Sequence, residues 1–293
     1  MQLQLVNVPV DGGKLRVLLW GTGKRVAVAV HGITASGMSW QAVARHMPSD
    51  WTLAAPDLRG RGHSRDLPGP YGLDGHARDV AAVLRHFGGR PVLAGHSMGA
   101  YIALLTRDAH PELVRRLVLV DGGLPLPVPV PVPEGTDLEA ILDATLGPAI
   151  SRLRQTYPDT EAYLDFWRAH PALAGHWTAD VEAYVRYDLI GENGHLRSRA
   201  AEDAVRADGR DVLADKPFAD ALSRLTKPTP LLTAPAGMFG APPGLIPPQV
   251  IAAWQDRVPV LRPQTVPGAN HYTILFEPEG AAAVSQAIRA AAL

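Results

Sequence analysis

Short apolar segments recur along this chain, and segments with helical character separate most of them. Beyond the amino-terminal region, the predicted strands are Leu15–Trp20, Val26–Val30, Thr52–Ala55, Pro91–Ala94, Leu117–Val120, Pro230–Thr233 and Val260–Val266. Strands that alternate with helices form a mostly parallel sheet with helices on its faces. Val26–Val30 and Leu117–Val120 are apolar throughout, as expected of strands that helices cover on both sides. The sequence therefore predicts an α/β fold.

The first residues predict an antiparallel start to this sheet. Residues 1–8 alternate polar and apolar side chains, and Asp11-Gly12-Gly13 joins them to Leu15–Trp20. Residues 1–8 lack the charged start and the continuous apolar stretch of a signal peptide, so a cytoplasmic location is expected. A membrane-spanning helix needs an apolar stretch of about 18 residues, and every apolar stretch of this sequence is much shorter. No membrane partner is therefore expected. Helices are predicted at Met38–Met47, Gly75–Phe87, Ala100–Ala109 and Gly280–Ala292.

A proline-rich segment interrupts the predicted sheet. Residues 125–133 alternate proline with apolar residues, which favours a polyproline II strap and excludes a helix or a central strand. Four predicted helices follow with no strand among them: Asp137–Tyr157, Thr160–His170, Asp180–Ile190 and Arg199–Ala207. We therefore predict a core made of residues 1–124 and 216–293, with an all-helical cap inserted at residues 125–215.

The composition excludes several classes of function. Of the 293 residues, 46% are hydrophobic, which supports a large buried core. A net charge of −1 gives no electrostatic reason to expect nucleic acid as a partner. With no cysteine, a thiol nucleophile and a thiolate metal site are both excluded. Any nucleophile is therefore an oxygen or nitrogen group, and neither a metal nor a cofactor is expected; the oligomeric state stays open.

Gly95-His96-Ser97-Met98-Gly99 lies between a predicted strand and a predicted helix. In this context a Gly-x-Ser-x-Gly turn is typical of a nucleophile elbow, in which the serine hydroxyl stands above the end of the sheet. The flanking glycines allow the sharp, strained turn that this position requires. A glycine- and serine-rich turn that merely closes a strand–helix unit is the alternative.

A serine nucleophile needs a base and donors for the developing oxyanion. His271 follows the last predicted strand, and the carboxyl ends of parallel strands meet at one edge of the sheet. Its imidazole is suited to exchanging protons near neutral pH. The loop after Val26–Val30 makes the backbone N–H groups of Ile33 and Met98 the candidate oxyanion donors. We interpret His31, at the start of this loop, as a residue that holds it by hydrogen bonding.

The turn from Asp57 to Ser64 is rich in glycine and arginine. Such a turn can cradle a phosphate, but it lacks the Gly-Lys-Ser/Thr ending of a phosphate-binding loop. A structural turn is therefore the favoured interpretation.

These motifs occur in an order that is similar to that of the α/β-hydrolase superfamily. They are His31-Gly32, Asp57-Leu58-Arg59-Gly60-Arg61-Gly62-His63-Ser64, Gly95-His96-Ser97-Met98-Gly99 and Asn270-His271. The resemblance covers the chain outside the insertion. It implies an eight-stranded sheet, a helical cap between strands six and seven, Ser97 as nucleophile and His271 as base. Ser97 argues against the branches with an aspartate nucleophile, namely haloalkane dehalogenases and many epoxide hydrolases. Ile33-Thr34-Ala35 is poorer in glycine than the matching stretch of the family's C–C hydrolases, which disfavours that branch.

The acid that orients the base departs from the commonest pattern of the family. Most members place an aspartate just after strand seven, yet residues 234–244 contain no carboxylate. Asp121 closes strand six, where some branches of the family carry their acid. We therefore predict Asp121 as the partner of His271. A carboxylate from the cap, or a site reduced to Ser97 and His271, are the alternatives.

Together these residues predict a cofactor-independent serine hydrolase that cleaves a carboxylic ester or lactone through an acyl-enzyme on Ser97. The alternatives are an acyltransferase or perhydrolase with the same three residues, and a non-catalytic small-molecule receptor of hydrolase ancestry. The expected partner is an apolar small molecule bound between the sheet edge and the cap. Core packing is the competing interpretation for each aromatic residue of the cap. The predicted pocket residues are Met38, Trp40, Trp177, Tyr184 and Phe239.

Overall fold

The computed structural model describes residues 2–126, 140, 149–192, 194–214 and 216–293. Most of the predicted strap at residues 125–133, and most of the predicted helix Asp137–Tyr157, lie outside the described residues. Residues 149–154, within that helix prediction, are helical. The described residues between 149 and 214 are called the insert below.

A mostly parallel eight-stranded sheet forms the centre of the fold. The strands are β1 (Leu3–Val10), β2 (Gly13–Trp20), β3 (Arg25–Val30), β4 (Trp51–Pro56), β5 (Val92–His96), β6 (Arg116–Val120), β7 (Leu189–Ile190), β8 (Arg197–Ser198), β9 (Thr229–Thr233) and β10 (Leu261–Thr265). All except β7 and β8 lie in this sheet, in the order β1-β2-β4-β3-β5-β6-β9-β10. β2 pairs antiparallel with both β1 and β4, and the other neighbours are parallel. The predicted fold class and the antiparallel start are confirmed.

Helices cover both faces of the sheet. They are α1 (Gln41–Arg45), α2 (Leu73–Phe87), α3 (Met98–Ala109), α4 (Thr160–Arg168), α5 (Ala179–Tyr187), α6 (Glu202–Ala214), α7 (Lys216–Ser223), α8 (Pro248–Arg257), α9 (Thr273–Phe276) and α10 (Pro278–Ala291). Ala27 and Ala29 of β3 lie in the apolar cluster that contains α1 and α10, whereas Val28 and Val30 lie in the cluster that contains α2 and α3. Because successive side chains of a strand point to opposite faces, a strand between two helical layers is apolar at every position.

The insert is not purely helical. β7 and β8 form a short antiparallel pair, and β7 occupies the end of the predicted helix Asp180–Ile190. The prediction that no strand lies among these helices is therefore wrong. Gly191 and Gly194 both have a positive φ, of 112° and 94°, which glycine adopts readily in turns and which a continuing α-helix cannot accommodate.

Buried aromatic rings join the insert to the core. Tyr184 of α5 lies 5.1 Å from Phe276 of α9, measured between ring centroids, and Trp167 of α4 lies 6.3 Å from Tyr272. These contacts place the insert over the carboxyl edge of the sheet near β10. The cap boundaries at residues 125 and 215 stay predictions. None of the helices in the described ranges combines the length and apolar character that crossing a bilayer requires.

Candidate active site

Ser97 lies in a sharp turn between β5 and α3. Its φ of 55° and ψ of −125° are a conformation that residues other than glycine rarely adopt, at a cost of about 1–3 kcal/mol. A Cβ atom on Gly95 would lie 2.1 Å from the Gly99 carbonyl oxygen, and a Cβ on Gly99 would lie 2.2 Å from that of Val30. Both glycines of the motif are therefore required by close backbone contacts.

Asp121 and His271 form a buried hydrogen-bonded pair beside this turn. Oδ2 of Asp121 lies 2.7 Å from Nδ1 of His271, and both side chains are almost fully buried. With Nδ1 bonded to the carboxylate, Nε2 of His271 is the ring atom left for proton exchange. Ser97 and His271 line the same cavity.

The carboxyl ends of three neighbouring strands bring these residues together. The backbone N–H of Ser97, after β5, donates to the Val120 carbonyl oxygen of β6 at 2.9 Å. A Cβ on Gly122 would lie 2.3 Å from the Ser97 carbonyl oxygen, so glycine after Asp121 allows this close approach. After β9, the backbone N–H of Ala234 donates to Oδ1 of Asp121 at 3.1 Å. A backbone amide, rather than a second carboxylate, thus lies at the end of β9, which is the seventh strand of the eight-stranded sheet along the chain.

Asn270 holds the loop that carries His271. Its side-chain oxygen accepts hydrogen bonds from the backbone N–H groups of Tyr272 and Thr273, both at 2.9 Å. Its Nδ2 donates to the Ala172 carbonyl oxygen of the insert at 2.8 Å. This role of Asn270 is not among the sequence-based predictions, although asparagine next to a turn is a signal for such backbone contacts.

His96 supports His271 through a second contact that is not predicted from the sequence. The two rings are 4.7 Å apart, and Nε2 of His96 donates to the His271 carbonyl oxygen at 2.9 Å. Since a carbonyl oxygen only accepts hydrogen bonds, Nε2 of His96 carries the proton. Burial lowers the pKa of His96 well below its usual value, so this ring is neutral.

The loop after β3 lies against the elbow. A Cβ on Gly32 would be 3.1 Å from Cβ of Ser97. The backbone N–H groups of Ile33 and of Met98, the first residue of α3, have no acceptor among the residues that the structure describes. Both amides are therefore available to an anionic oxygen.

His31 holds this loop by hydrogen bonds, as predicted. Its Nε2 accepts from the Leu58 N–H at 2.9 Å, so the proton lies on Nδ1, which donates to the Gly32 carbonyl oxygen at 2.7 Å. Burial lowers the pKa of His31 to about 3. The ring is neutral, and it acts through the loop rather than by proton transfer.

A cavity between the sheet edge and the insert opens onto Ser97. The insert contributes Tyr184, Gly209, Val212 and Leu213 to its wall, and α9 contributes Leu275 and Phe276. None of the described residues that line it is Asp, Glu, Lys or Arg. The cavity is therefore apolar apart from the two histidine rings and a few hydroxyl groups.

Of the five predicted pocket residues, only Tyr184 lines this cavity. Met38 and Trp40 are instead buried in the core beside α1. Trp177 lies under the guanidinium of Arg168, and Phe239 is 46% exposed. Apolar residues produce the same sequence pattern whether they face a core or a cavity. The sequence therefore could not distinguish these two locations for the four residues.

The turn from Asp57 to Ser64 uses its arginines in buried ion pairs. Arg59 pairs with Asp79 at 2.9 Å, and Arg61 pairs with Asp208 at 2.5 Å. With both guanidinium groups neutralised, the turn is structural rather than a phosphate cradle. Within the described ranges, no three His, Asp or Glu side chains converge as metal ligands do.

Comparison with known sequences agrees with this architecture. The sequence model of the α/β-hydrolase fold family matches residues 28–146. Lipase LipV of Mycobacterium tuberculosis is 33% identical over 43% of this chain, a match that spans only 45% of the lipase. The 2-(acetamidomethylene)succinate hydrolase of Mesorhizobium japonicum is 28% identical over 85% of this chain and 82% of its own length.

Solved structures share the whole fold. The crystal structure of E-2-(acetamidomethylene)succinate hydrolase has a TM-score of 0.79 at 24% identity, and covers 98% of this chain and 100% of that one. The thioesterase domain from the curacin biosynthetic pathway has a TM-score of 0.76 at 21% identity, with 99% and 100% covered. At these identities the structural likeness concerns the fold alone. Taken with the family match and the sheet order, it shows that the chain has the α/β-hydrolase fold.

Proposed function

We propose that this protein is a cofactor-independent serine hydrolase that cleaves a carboxylic ester or lactone of an apolar small molecule. The observation that carries the proposal is the buried Asp121–His271 pair at 2.7 Å, whose histidine lines the same cavity as Ser97. A nucleophile, a base and a group that orients the base are the set that acyl transfer to serine requires.

In the first half of the reaction, Oγ of Ser97 attacks the carbonyl carbon while Nε2 of His271 takes the hydroxyl proton. Asp121 keeps the proton of Nδ1 in place and stabilises the imidazolium that forms. The N–H groups of Ile33 and Met98 donate to the oxyanion. When the C–O bond to the alcohol breaks, His271 returns the proton to the leaving oxygen, and the acyl group remains on Ser97.

In the second half, water replaces the alcohol. His271 takes a proton from water as the water oxygen attacks the acyl carbon, and the same two amides stabilise the second oxyanion. Breakdown returns the proton to Oγ of Ser97 and releases the carboxylic acid. For a lactone the alcohol and the acid are two ends of one product.

The cavity chemistry supports an uncharged substrate. The described lining residues include no Lys or Arg, and the undescribed residues 127–139 and 141–148 contain neither residue type nor histidine. Placing a carboxylate in such a site without a counter-charge is unfavourable. The succinate named for the Mesorhizobium relative is a dicarboxylate, so we propose a different substrate class for this chain.

Labelling by a fluorophosphonate tests the nucleophile. We expect a single adduct on Ser97 by intact mass and peptide mapping, and none in the Ser97→Ala variant. A panel of p-nitrophenyl esters of graded chain length, beside a macrocyclic lactone and a succinate half-ester, tests the substrate class. We expect turnover of the neutral compounds and little of the half-ester.

The same experiments distinguish the alternatives. A folded wild-type protein without a Ser97 adduct would point to a receptor rather than an enzyme. An added short-chain alcohol or hydrogen peroxide as acceptor separates hydrolysis from acyl transfer: excess formation of the new ester or peracid over the free acid would contradict a hydrolase.

A further inference from the structure

Three successive carbonyl groups of the loop beside Ser97 are each held by a buried cationic or imidazole side chain. His31 donates to the Gly32 oxygen at 2.7 Å. Nε of Arg61 donates to the Ile33 oxygen at 2.9 Å, and Nη2 of Arg152 donates to the Thr34 oxygen at 3.2 Å. His31 belongs to this loop, but Arg61 comes from the turn after β4, and Arg152 comes from the insert.

Holding these oxygens orients the proposed oxyanion donor. In a trans peptide the C=O and N–H groups point in opposite directions, so the bond to the Gly32 oxygen sets the direction of the Ile33 N–H. The bond from Arg61 to the Ile33 oxygen fixes the next peptide plane. With both planes held, the Ile33 N–H has little freedom to rotate away from an oxygen beside Ser97.

Arg61 is itself held by a helix of the insert. Its Nη1 pairs with Oδ2 of Asp208 in α6 at 2.5 Å, and both side chains are fully buried. Asp208 also accepts hydrogen bonds from Nε2 of His76 at 2.9 Å and from the Gly72 N–H at 2.7 Å. Burial acts to raise the pKa of Asp208, but the charge of Arg61 and the hydrogen bonds from His76 and the Gly72 N–H outweigh it and lower that pKa to about 2. Asp208 is therefore an anion that fixes Arg61.

The same helix forms part of the cavity wall. Gly209, Val212 and Leu213 of α6 line the cavity, and Asp208 directly precedes the first of them. We propose that Arg61, anchored by Asp208, is a positioning residue that couples the seating of α6 on the core to the geometry of the oxyanion donors. This inference rests on the proposed function and adds a link between the cavity-lining helix α6 and the rate of the chemical step.

A matched pair of arginines separates positioning from stability. Arg59 lies two residues from Arg61 and forms an equally buried ion pair with Asp79, but its other hydrogen bonds go to the carbonyl oxygens of Asp11 and Pro68, away from the loop. Both R61M and R59M remove one partner of a buried ion pair. Only R61M also releases the Ile33 oxygen.

The readout is the split between kcat and KM on a neutral p-nitrophenyl ester, together with the affinity for an alkyl boronic acid. The boronate adduct on Ser97 places an oxygen where the oxyanion forms. We expect R61M to lower kcat about tenfold or more, with KM changed less than about twofold and boronate affinity lowered in parallel. R59M should keep kcat and boronate affinity within about twofold of wild type. Equal losses in the two variants, or wild-type kcat in R61M, would overturn the inference.

A second variant covers the case in which R61M fails to fold. The double variant R61M/D208N leaves no unpaired buried charge and still frees the Ile33 oxygen. It should show the same loss of kcat, and a wild-type kcat would again overturn the inference. If wild-type protein forms no fluorophosphonate adduct, the proposed function and this inference both fail; an active, labelled wild type with unaffected arginine variants defeats this inference alone.

Discussion

Asp121 combines an unusual backbone conformation with a fully satisfied carboxylate. Its φ of 44° lies in the left-handed region, which aspartate and asparagine tolerate better than most residues. One carboxylate oxygen faces His271 and the other accepts the Ala234 N–H. This pairing occupies Nδ1 of His271, which is the atom that a cap carboxylate would have to contact in the alternative that the sequence leaves open.

Replacing Asp121 by asparagine should separate its charge from its structural role. Asparagine keeps the tolerated φ, and its Oδ1 can still accept the Ala234 N–H. Its NH₂ group then faces Nδ1 of His271, which forces the ring into the wrong tautomer. We expect kcat on a neutral ester to fall by about 10³- to 10⁴-fold, with the melting temperature changed by only a few degrees.

Asp79→Asn is the control for this experiment, because Asp79 is an equally buried aspartate whose partner is Arg59. Its substitution should lower stability and leave kcat near wild type. Near-normal turnover in Asp121→Asn would show that another group orients His271.

At the scale of elements, the strands were predicted far better than the insert. The ends of the predicted strands lie within two residues of the observed ends, because each strand of the sheet is a short apolar segment bounded by turn residues. The insert gave weaker signals. Its helix α5 ends at Tyr187 and is followed by the β7–β8 hairpin, where Gly191 and Gly194 marked the turn that the helical periodicity obscured.

Helix α6 carries a glycine where a helix would favour another residue. Glycine in a helix interior costs about 0.8–1.0 kcal/mol relative to alanine, yet Gly209 lies mid-helix and on the cavity wall. We infer that the missing side chain leaves room for substrate. Gly209→Leu should lower kcat/KM for long-chain p-nitrophenyl esters about tenfold or more while acetate ester turnover changes little, since one bulky side chain removes space but no catalytic group.

Ala207→Leu, on the same helix but outside the cavity lining, is the matched control. It should leave the chain-length profile as in wild type. A uniform loss of turnover across all chain lengths in Gly209→Leu would contradict a role of Gly209 in pocket size.

At the scale of the whole molecule, buried titratable groups determine how stability responds to acid. Burial lowers the pKa of His31 to about 3 and that of His96 well below its usual value, so both rings stay neutral in the folded protein. In the unfolded chain each takes up a proton below about pH 6.5, so the unfolded state gains protons and stability falls as the pH falls.

Asp57 acts in the opposite direction. Burial raises its pKa from 3.8 to about 6, although Tyr187 of the insert and two backbone N–H groups donate to it. Its contribution to stability is present below pH 3.8 and is lost as the pH rises through about 6. The two histidines outweigh Asp57 by one proton, and Asp208 and Glu202, whose pKa values are both lowered to about 2, add to the loss of stability as the pH falls toward 4.

We therefore expect the free energy of unfolding to decrease by at least about 1.4 kcal/mol per pH unit as the pH falls from 6 to 4. Urea denaturation at pH 4.5, 5.2 and 6.0 measures this slope. His31→Asn should flatten it, because this variant lacks one of the two buried histidines that are neutral only in the folded protein. The exposed His86→Gln serves as the control and should keep the slope. A stability that rises on acidification would contradict this balance.

The sequence by itself determined the α/β class, the sheet and its antiparallel start, because apolar strands and turn residues are local signals. It also identified Ser97, His271, Asp121 and the two amides as candidates, since each lies at the end of a predicted strand. Only the tertiary structure decided what lines the cavity and what holds the loop beside Ser97. Those contacts join residues far apart in the chain, such as Arg61 with Asp208. The sequence shows which side chains are apolar or charged, but it does not show which distant residue each of them contacts after folding.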